Sequence, residues 1–325
     1  MSYNLYNIAF YNVENLFDTI NDPHTWDDDR TPEGKDLWTM EKYEDKIKNI
    51  SRVISEIGHD STKTAPAVIG LCEIENLTVL EDLVNHPNLA PFNYKIVHYD
   101  SPDKRGIDVA LLYQASLFTV HHSEPKPLMI NYLDDENRRF YTRDQLLVSG
   151  SLKGENVNLI INHWPSRGEG IEETNYRREK AAMLNKEIIE ELYHKDPKAK
   201  IISMGDFNDG PNSKSFKEIL QTNSNIALID EQQLHNPMEI MSQKGKGSVA
   251  HRDEWHLFDQ ILISDSFVGN VEGLQFYDAK IFSMPYLISL SGQYQGFPFR
   301  SYDFDGYTGG FSDHFPVYIS LIKHD

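Results

Sequence analysis

The sequence predicts an α/β domain with mixed β-sheets, arranged as two sheets with helices on the outside. Apolar segments of strand length outnumber segments with helical periodicity. Predicted helices separate some of the strands but not all of them, which argues against a purely parallel sheet. Neither an internal repeat nor a low-complexity linker divides the chain, so residues 1–325 are expected to form a single domain.

Strands are predicted where short apolar segments end in turn residues. In chain order these are residues 5–13, 67–71, 94–99, 109–113, 118–121, 145–149, 157–162, 201–204 and 257–264. Helical spacing of apolar residues predicts helices over 41–58, 172–194 and 213–221, and Asn76 is expected to cap a further helix. Residues 282–310 are rich in Gly, Tyr and Phe without a clear period, which predicts a long surface loop.

Composition restricts the class of protein. A hydrophobic content of 39%, with 11% aromatic residues, is sufficient for a large core. A net charge of −19 argues against binding nucleic acid by bulk electrostatics. It does not argue against an enzyme that acts on phosphates, because an acidic pocket that recruits a divalent cation reverses the local field.

The chain carries weak signals of its compartment. The first residues lack the basic and long apolar regions of a secretory signal, and no apolar run reaches the ~18 residues of a membrane span. The single cysteine, Cys72, excludes an internal disulfide and favours a reducing compartment. These features favour a cytoplasmic location, and a signal removed from the start would make the protein a secreted one.

Polar residues recur at the ends of the predicted strands, where burial is costly unless the group is paired or binds a metal. The strand-end residues are Asn12, Glu73, His163, Asp206 with Asn208, and Asp313 with His314, and Asp259 interrupts a further strand. Asp206 and Asn208 stand two apart, so an extended backbone points both to the same side. Six such instances in one chain indicate a functional site rather than core decoration.

Six segments in a fixed order carry a resemblance to a known family. They are residues 10–13 (FYNV), 70–73 (GLCE), 162–166 (NHWPS), 205–208 (GDFN), 258–264 (FDQILIS) and 312–317 (SDHFPV). Together they resemble the metal-dependent endonuclease/exonuclease/phosphatase superfamily over nearly the whole chain. The resemblance implies a four-layer α/β sandwich, in which two mixed sheets pack face to face and the active site lies at one edge.

The resemblance also implies roles for the strand-end residues. Glu73 is expected to be the main metal ligand, with Asn12 and Asp313 nearby, and such hard oxygen ligands suit Mg²⁺ or Mn²⁺. Asp206 is expected to orient or deprotonate the attacking water, and Asn208 to donate to a phosphate oxygen. His314 is expected to face the scissile phosphate, with its other ring nitrogen held by Asp259.

Three further positions follow from the same resemblance. His163 resembles the second histidine of the deoxyribonuclease and sphingomyelinase branches, where it contacts phosphate or protonates the leaving group. We expect Asp108 to pair with His163 and orient it. Arg143 is expected to bind a substrate phosphate, with a surface strand arginine as the alternative. Arg105 and Lys104, in the loop before Asp108, could touch substrate or be solvated.

The first functional prediction is a nuclease that hydrolyses phosphodiester bonds of DNA or RNA, with nucleic acid as its partner. The alternative is a sphingomyelinase-type or small-molecule phosphodiesterase or phosphatase, and a third hypothesis is a catalytically silent scaffold. The aromatic loop 286–307 would suit either a membrane surface or nucleobases. The sequence gives no indication of a protein partner.

Overall fold

The computed structural model describes residues 3–251, 253–269 and 272–324. Its strands, in chain order, are β1 (Tyr3–Leu16), β2 (Val68–Ile74), β3 (Tyr94–His98), β4 (Asp108–Gln114), β5 (Phe118–Lys126), β6 (Ile130–Tyr132), β7 (Asp135–Phe140), β8 (Gln145–Leu152), β9 (Glu155–His163), β10 (Ile201–Asp206), β11 (Leu234–His235), β12 (Val249–His251), β13 (Glu254–His256), β14 (Asp259–Ser264), β15 (Gln275–Ile281), β16 (Tyr302–Asp303), β17 (Gly306–Tyr307) and β18 (Val317–His324). Its α-helices are α1 (Met40–Glu56), α2 (His59–Thr62), α3 (Leu77–Asn85), α4 (Ile171–Lys195) and α5 (Met238–Gln243).

Two large sheets, each with six strands in the described part of the chain, form the centre of the molecule. Sheet 1 has the order β15-β18-β1-β2-β4-β3, and sheet 2 has the order β11-β14-β10-β9-β8-β5. β1 runs parallel to β2, and β9 runs parallel to β10, whereas the other neighbouring strands are antiparallel. The predicted α/β class with two mixed sheets is therefore confirmed.

Side chains alternate between the two faces of each sheet, as the period of a β-strand requires. In β1, Ile8 and Phe10 lie in the core between the sheets, whereas Ala9 and Tyr11 lie in the core that α1 and α3 cover. On the opposite side, α4 covers sheet 2 through residues such as Ile188. The layers therefore run helix, sheet, sheet, helix. The two parallel pairs, β1 with β2 and β9 with β10, each end at an edge of the sandwich.

The helices begin and cover the sheets as their sequences predict. Asn76 caps α3, because its side-chain oxygen accepts a hydrogen bond from the backbone N–H of Val79 at 3.0 Å. In α1 the buried face includes Ile47, Ile50 and Ile54, which follow helical spacing. Within the described ranges, no helix has both the length and the apolar character that crossing a membrane requires.

Several local predictions differ from the structure. The edge strand β15 and the hairpin of β6 and β7 were not predicted, because their sequences mix charged and aromatic residues without a buried face. Instead of a helix over 213–221, the chain forms one π-helical turn, Ser215–Ile219, and a left-handed backbone at Gln221 follows it. The predicted loop 282–310 contains a short 3-10 turn, Pro285–Leu287, and the small hairpin of β16 and β17.

Candidate active site

The strand-end residues meet because the two parallel pairs end at one edge of the sandwich. Asp206, the last residue of β10, lies opposite His163 of β9 on one side and Asp259 of β14 on the other. β14 is antiparallel to β10, so Asp259 begins its strand at the edge where Asp206 ends. In sheet 1, Asn12 lies opposite Cys72, which is the residue directly before Glu73.

The backbone at this edge departs from regular strand geometry. Glu73 has a φ of 63°, and it falls where the pairing of β2 with β4 shifts register. Glu14 and Asn15, in the irregular end of β1, have φ of 52° and 56°. Non-glycine residues rarely adopt this left-handed region, and those that do concentrate at functional sites. The bulge turns the Glu73 carboxylate toward the strand ends, where Oε2 accepts a hydrogen bond from the backbone N–H of Asn15 at 2.9 Å.

One carboxylate oxygen, Oδ2 of Asp206, lies at the centre of the site. The side-chain amide of Asn12 donates to it at 3.0 Å. Nε2 of His163 lies 3.7 Å from it, and Nε2 of His314 lies 3.9 Å from it. Burial and the neighbouring carboxylate of Asp259 raise the pKa of Asp206 to about 6. The group is therefore an anion at neutral pH whose basicity exceeds that of an exposed carboxylate.

The carboxylate of Asp259 holds His314 in position. Nδ1 of His314 lies 2.6 Å from Oδ2 of Asp259, which also accepts a hydrogen bond from the Ser248 hydroxyl at 2.5 Å. Burial opposes a charge on His314, but Asp259, Asp313 and Asp206 outweigh it and raise the pKa of His314 well above its usual value. His314 is therefore a cation at neutral pH, and its Nε2 lies 3.9 Å from both Oδ2 of Asp206 and Oδ1 of Asp313.

Ser248 is a site residue that the sequence did not reveal. It precedes the hairpin of β12 and β13, and its carbonyl accepts the backbone N–H of Phe315 at 2.7 Å. Val249 forms an isolated β-bridge with His314. The hairpin thus fixes both the backbone and the ring of His314. Only the fold brings this serine to Asp259, 11 positions further along the chain.

His163 differs from His314 in its electrostatic environment. Its Nε2 lies 3.8 Å from Oε1 of Glu73, and its buried Nδ1 has no hydrogen-bond partner among the described residues. Burial, together with the positive charges of Arg143 and Arg105, lowers the pKa of His163 well below its usual value. His163 is therefore neutral at neutral pH.

The predicted pair of Asp108 and His163 is wrong in this structure. The two carboxylate oxygens of Asp108 accept hydrogen bonds from Nε2 of His98 at 3.1 Å and from the backbone N–H of Ser101 at 2.8 Å. Asp108 thus stabilises the start of the 100–107 loop, and the orienting role that depended on contact with His163 loses its basis. His98, which pairs with Ala110 on the adjacent strand, lies close enough to bond to Asp108 instead.

Arg143 is buried and bonded to the protein on every nitrogen. Nη1 pairs with Asp103 at 2.7 Å, Nε donates to the carbonyl of His163 at 3.2 Å, and Nη2 donates to the carbonyl of Trp164 at 2.7 Å. A guanidinium held in this way positions the backbone that carries His163. The geometry therefore contradicts both a surface location and the predicted role of Arg143 as a phosphate ligand.

Arg105 is the arginine of this region whose donors remain available. Its Nε lies 3.6 Å from Asp103, its side chain is 43% exposed, and no described residue accepts a hydrogen bond from its Nη atoms. Its charge acts on both Glu73 and His163. It therefore lies beside the site with a guanidinium open to an anion.

The predicted metal ligands contribute hard oxygen atoms to the same pocket. Oε1 of Glu73 and Oδ1 of Asp313 lie 3.8 Å and 3.9 Å from the Nε2 atoms of the two histidines. Within the described residues neither oxygen accepts a hydrogen bond, and Oδ1 of Asn12 accepts one, from the backbone N–H of Glu14 at 2.9 Å. Such donors fit Mg²⁺ or Mn²⁺.

A layer of charged residues supports Asp313. Nη2 of Arg300 donates to Oδ2 of Asp313 at 3.0 Å, and Nε of Arg300 lies 3.8 Å from Glu14. Glu14 also accepts the backbone N–H of Ser301 at 2.6 Å and lies 3.8 Å from the fully buried Lys46. Burial and Asp313 raise the pKa of Glu14 to about 7. This layer connects α1 and the 299–313 loop to the site.

Three other groups bring potential metal-ligand atoms within 4.8 Å of one another in the described residues. They are Cys72 with His163 and Asp206, Asp206 with Asp259 and His314, and His98 with Asp100 and Asp108. The first two share the central Asp206 carboxylate with the predicted site. In the second, Oδ2 of Asp259 is bonded to both Ser248 and His314, whereas its buried Oδ1 has no hydrogen-bond partner among the described residues.

Asn208 sits on a tight loop after β10. Its φ is 48°, its backbone N–H donates to Oδ1 of Asp206 at 2.9 Å, and its side-chain nitrogen donates to the carbonyl of Trp164 at 3.0 Å. Arg167 donates to the Asn208 carbonyl at 2.8 Å and to Asp209 at 2.6 Å. Asn208 lies in the site, with one amide hydrogen engaged in holding the loop. Gly205 is required before it, because a Cβ there would lie 2.4 Å from the carbonyl oxygen of Asn162.

Comparison with known proteins supports the family resemblance of the sequence. The sequence profile described as "Endonuclease/Exonuclease/phosphatase family" matches residues 7–323. A search of curated proteins returns no match.

Solved structures from two organisms share the fold. Humanized D. rerio TDP2 is 13% identical, with a TM-score of 0.59 over 98% of each chain. D. rerio TDP2 complexed with a single-strand DNA product is 14% identical, with a TM-score of 0.56 over 98% of each chain. A Bacteroides thetaiotaomicron mannosyl-6-phosphatase is 16% identical, with a TM-score of 0.57 over 97% of this chain and 99% of that chain. At such identities the similarity establishes the fold alone.

The first prediction concerns the charge on His314. Asp259→Asn should lower the pKa of His314, since it removes the nearest anion from Nδ1 while burial continues to disfavour the charge. Ser248→Ala is the matched control, because it removes a hydrogen bond from Asp259 but keeps the carboxylate. Histidine titration by NMR, assigned with a His314→Gln variant, measures the shift. A pKa of His314 that stays raised in Asp259→Asn would contradict the assignment.

The second prediction separates the two arginines. Arg143→Ala should lower the free energy of unfolding by about 3–5 kcal/mol, because it leaves Asp103 buried without its partner. Arg105→Ala, the control, should lower it by no more than about 0.5 kcal/mol, since its side chain is partly exposed. Chemical denaturation of both variants measures the difference. Equal losses would show that Arg143 is not the structural member of the pair.

Proposed function

Since the chain belongs to the endonuclease/exonuclease/phosphatase family, we propose that it is a metal-dependent phosphodiesterase, specifically a nuclease that hydrolyses DNA or RNA by attack of water. The observation that carries this proposal is the convergence on Asp206. Its Oδ2 atom lies within 4 Å of a neutral histidine, a charged histidine and the amide of Asn12. Phosphoryl transfer to water needs a base, a proton donor and neutralisation of the phosphoryl charge in one place.

Asp206 is the base of this scheme. As Oδ2 accepts a proton from the attacking water, the water oxygen bonds to phosphorus and the bond from phosphorus to the leaving oxygen breaks. A pKa of about 6 keeps Asp206 ionised at neutral pH and basic enough to take a proton. Oδ1 is held by the backbone N–H of Asn208, so the carboxylate cannot rotate freely.

The two histidines have different tasks. His314 carries a proton on Nε2, so it donates a hydrogen bond to a phosphoryl oxygen and can protonate the leaving oxygen. The neutral His163 orients the phosphate, and its lowered pKa makes it the weaker candidate for protonating the leaving group. Arg105, rather than Arg143, supplies the guanidinium for a phosphate oxygen.

A divalent cation, Mg²⁺ or Mn²⁺, would be held by Glu73 with Asn12 and Asp313, and when bound it would neutralise charge on the phosphoryl oxygens. The donor set favours this choice over zinc, because its predicted members are all oxygen atoms. Arg300 pairs with the remaining oxygen of Asp313 and limits the negative charge at this side of the pocket.

The catalytic residues are also compatible with a second candidate function. A sphingomyelinase-type or small-molecule phosphodiesterase, or a phosphatase, would use the same residues. The exposed apolar side chains of the 286–307 loop, Leu290 at 82% and Phe304 at 84% exposure, favour a lipid substrate. The catalytically silent scaffold has less support, because the acid, base and ligand residues are all present.

The third prediction tests the site in an assay of Mg²⁺-dependent hydrolysis. His314→Ala and Asp206→Asn should each reduce kcat by about 10²–10⁴-fold, because each loses a proton-transfer group. His122→Ala removes an exposed histidine on β5 and should leave kcat unchanged. Circular dichroism establishes that each variant folds. Full activity in either site variant would contradict the mechanism.

The same assay distinguishes the two candidate functions. The wild-type protein is offered plasmid DNA, single-stranded RNA, sphingomyelin and a phosphomonoester in parallel. Turnover of nucleic acid supports the nuclease. Turnover of sphingomyelin or of the monoester alone supports the second candidate.

A further inference from the structure

Beside the catalytic pocket lies a cluster of aromatic and cationic side chains, which we call the aromatic–cation rim: Trp26, Lys104, Arg139 and Tyr141. Nζ of Lys104 lies 5.3 Å from the ring centre of Trp26 and 5.7 Å from that of Tyr141. The guanidinium carbon of Arg139 lies 4.9 Å from the ring centre of Tyr141. Trp26 is 68% exposed and Tyr141 is 42% exposed, so both rings keep surface open to solvent.

The rim is built on segments that also carry the site. Lys104 directly precedes Arg105, and the carbonyl of Lys104 accepts the backbone N–H of Trp26 at 2.7 Å. A Cβ at Gly106 would lie 2.9 Å from Thr25, so the two loops are in close contact. Tyr141 lies two residues before Arg143, which bonds to the His163 carbonyl. The rim therefore continues from the His163 side of the pocket.

The loop that carries Trp26 is held by internal hydrogen bonds. Both carboxylate oxygens of the buried Asp27 are engaged, one by the backbone N–H of Asp22 at 2.9 Å and the other by the hydroxyl of Thr25 at 3.1 Å. Asp27 therefore shapes the loop that presents Trp26. An exposed tryptophan on such an ordered loop calls for a binding role, because large aromatic side chains are normally buried.

We propose that the aromatic–cation rim binds an unpaired nucleobase next to the scissile phosphate, so that the substrate of this site is single-stranded nucleic acid. This inference rests on the proposed nuclease function. Aromatic rings that keep surface exposed to solvent stack on bases of any sequence, and the cations that lie over these rings, Lys104 and Arg139, follow the phosphate backbone. Lys104, Arg105 and Arg139 supply three cationic side chains in this region of a chain whose net charge is −19.

The rim explains a preference that the catalytic residues cannot provide. Attack of water at phosphorus does not depend on which group is esterified to the phosphate. A stacked base, in contrast, orients the strand on one side of the phosphate. A base-paired strand keeps its bases stacked internally, so it cannot offer them to Trp26 and Tyr141. The quaternary ammonium of a choline headgroup also binds aromatic rings, but here Lys104 and Arg139 lie over the rings and repel it.

The fourth prediction tests the rim by binding rather than by turnover. Fluorescence anisotropy measures Kd for a dye-labelled single-stranded oligonucleotide, for an abasic strand of the same length and for a duplex. The wild-type protein should bind the base-bearing single strand about tenfold more tightly than the other two. The double variant Trp26→Ala/Tyr141→Ala should lose this preference. Tyr277→Ala, which removes an aromatic ring exposed on β15, should retain it.

The outcomes separate the rim from the nuclease proposal. Equal affinity of the wild-type protein for the three ligands, or an unchanged preference in the double variant, would overturn the rim proposal. Loss of binding to sphingomyelin vesicles in the double variant, with oligonucleotide binding intact, would overturn it in favour of a membrane. A base preference that depends on the rim, without hydrolysis of any nucleic acid in Mg²⁺, would support the rim and reject the nuclease.

Discussion

The site depends on one hydrogen bond that joins the two sheets. Asn12 ends its regular pairing in sheet 1, Asp206 ends β10 in sheet 2, and the 3.0 Å contact between their side chains spans 194 positions of sequence. Each residue is held by a buried central strand, so neither can move without disturbing the core between the sheets. Burial and the carboxylate of Asp259 raise the pKa of Asp206, and the hydrogen bond from Asn12 partly offsets that rise. The packing of the two sheets therefore also fixes the positions of the groups that act in the pocket.

The two histidines become different reagents because of what surrounds them. Both rings are buried and both approach the same oxygen of Asp206. Nδ1 of His314 has the carboxylate of Asp259, whereas Nδ1 of His163 has no partner among the described residues and two arginines nearby. One ring is consequently a cation and the other is neutral, so under the proposed mechanism His314 donates a proton while His163 orients the phosphate.

The pattern of strands and helices was sufficient to predict two mixed sheets, whereas the position of Asp206 and its neighbours at one edge was expected from the family resemblance. Partners across the fold were harder to predict. The type of residue identifies the charge of Arg143 and Asp108, but Asp103 and His98 determine what each one binds. Ser248 directly precedes a short hairpin without a regular pattern, and the edge strand β15 lacks a buried face, so neither gave a signal in the sequence.

We propose that Glu73 holds the cation and that Asp206 acts as the base, and locating the cation tests this assignment most directly. Crystals of the protein soaked in Mn²⁺ would reveal the ion by anomalous scattering. We expect an anomalous peak within about 2.2 Å of the Glu73 carboxylate, on the side of Asn12 and Asp313, and no metal bonded to Asp206. A peak bonded to Asp206 between His163 and Cys72, with Glu73 unoccupied, would contradict it, because Asp206 could then no longer act as the base.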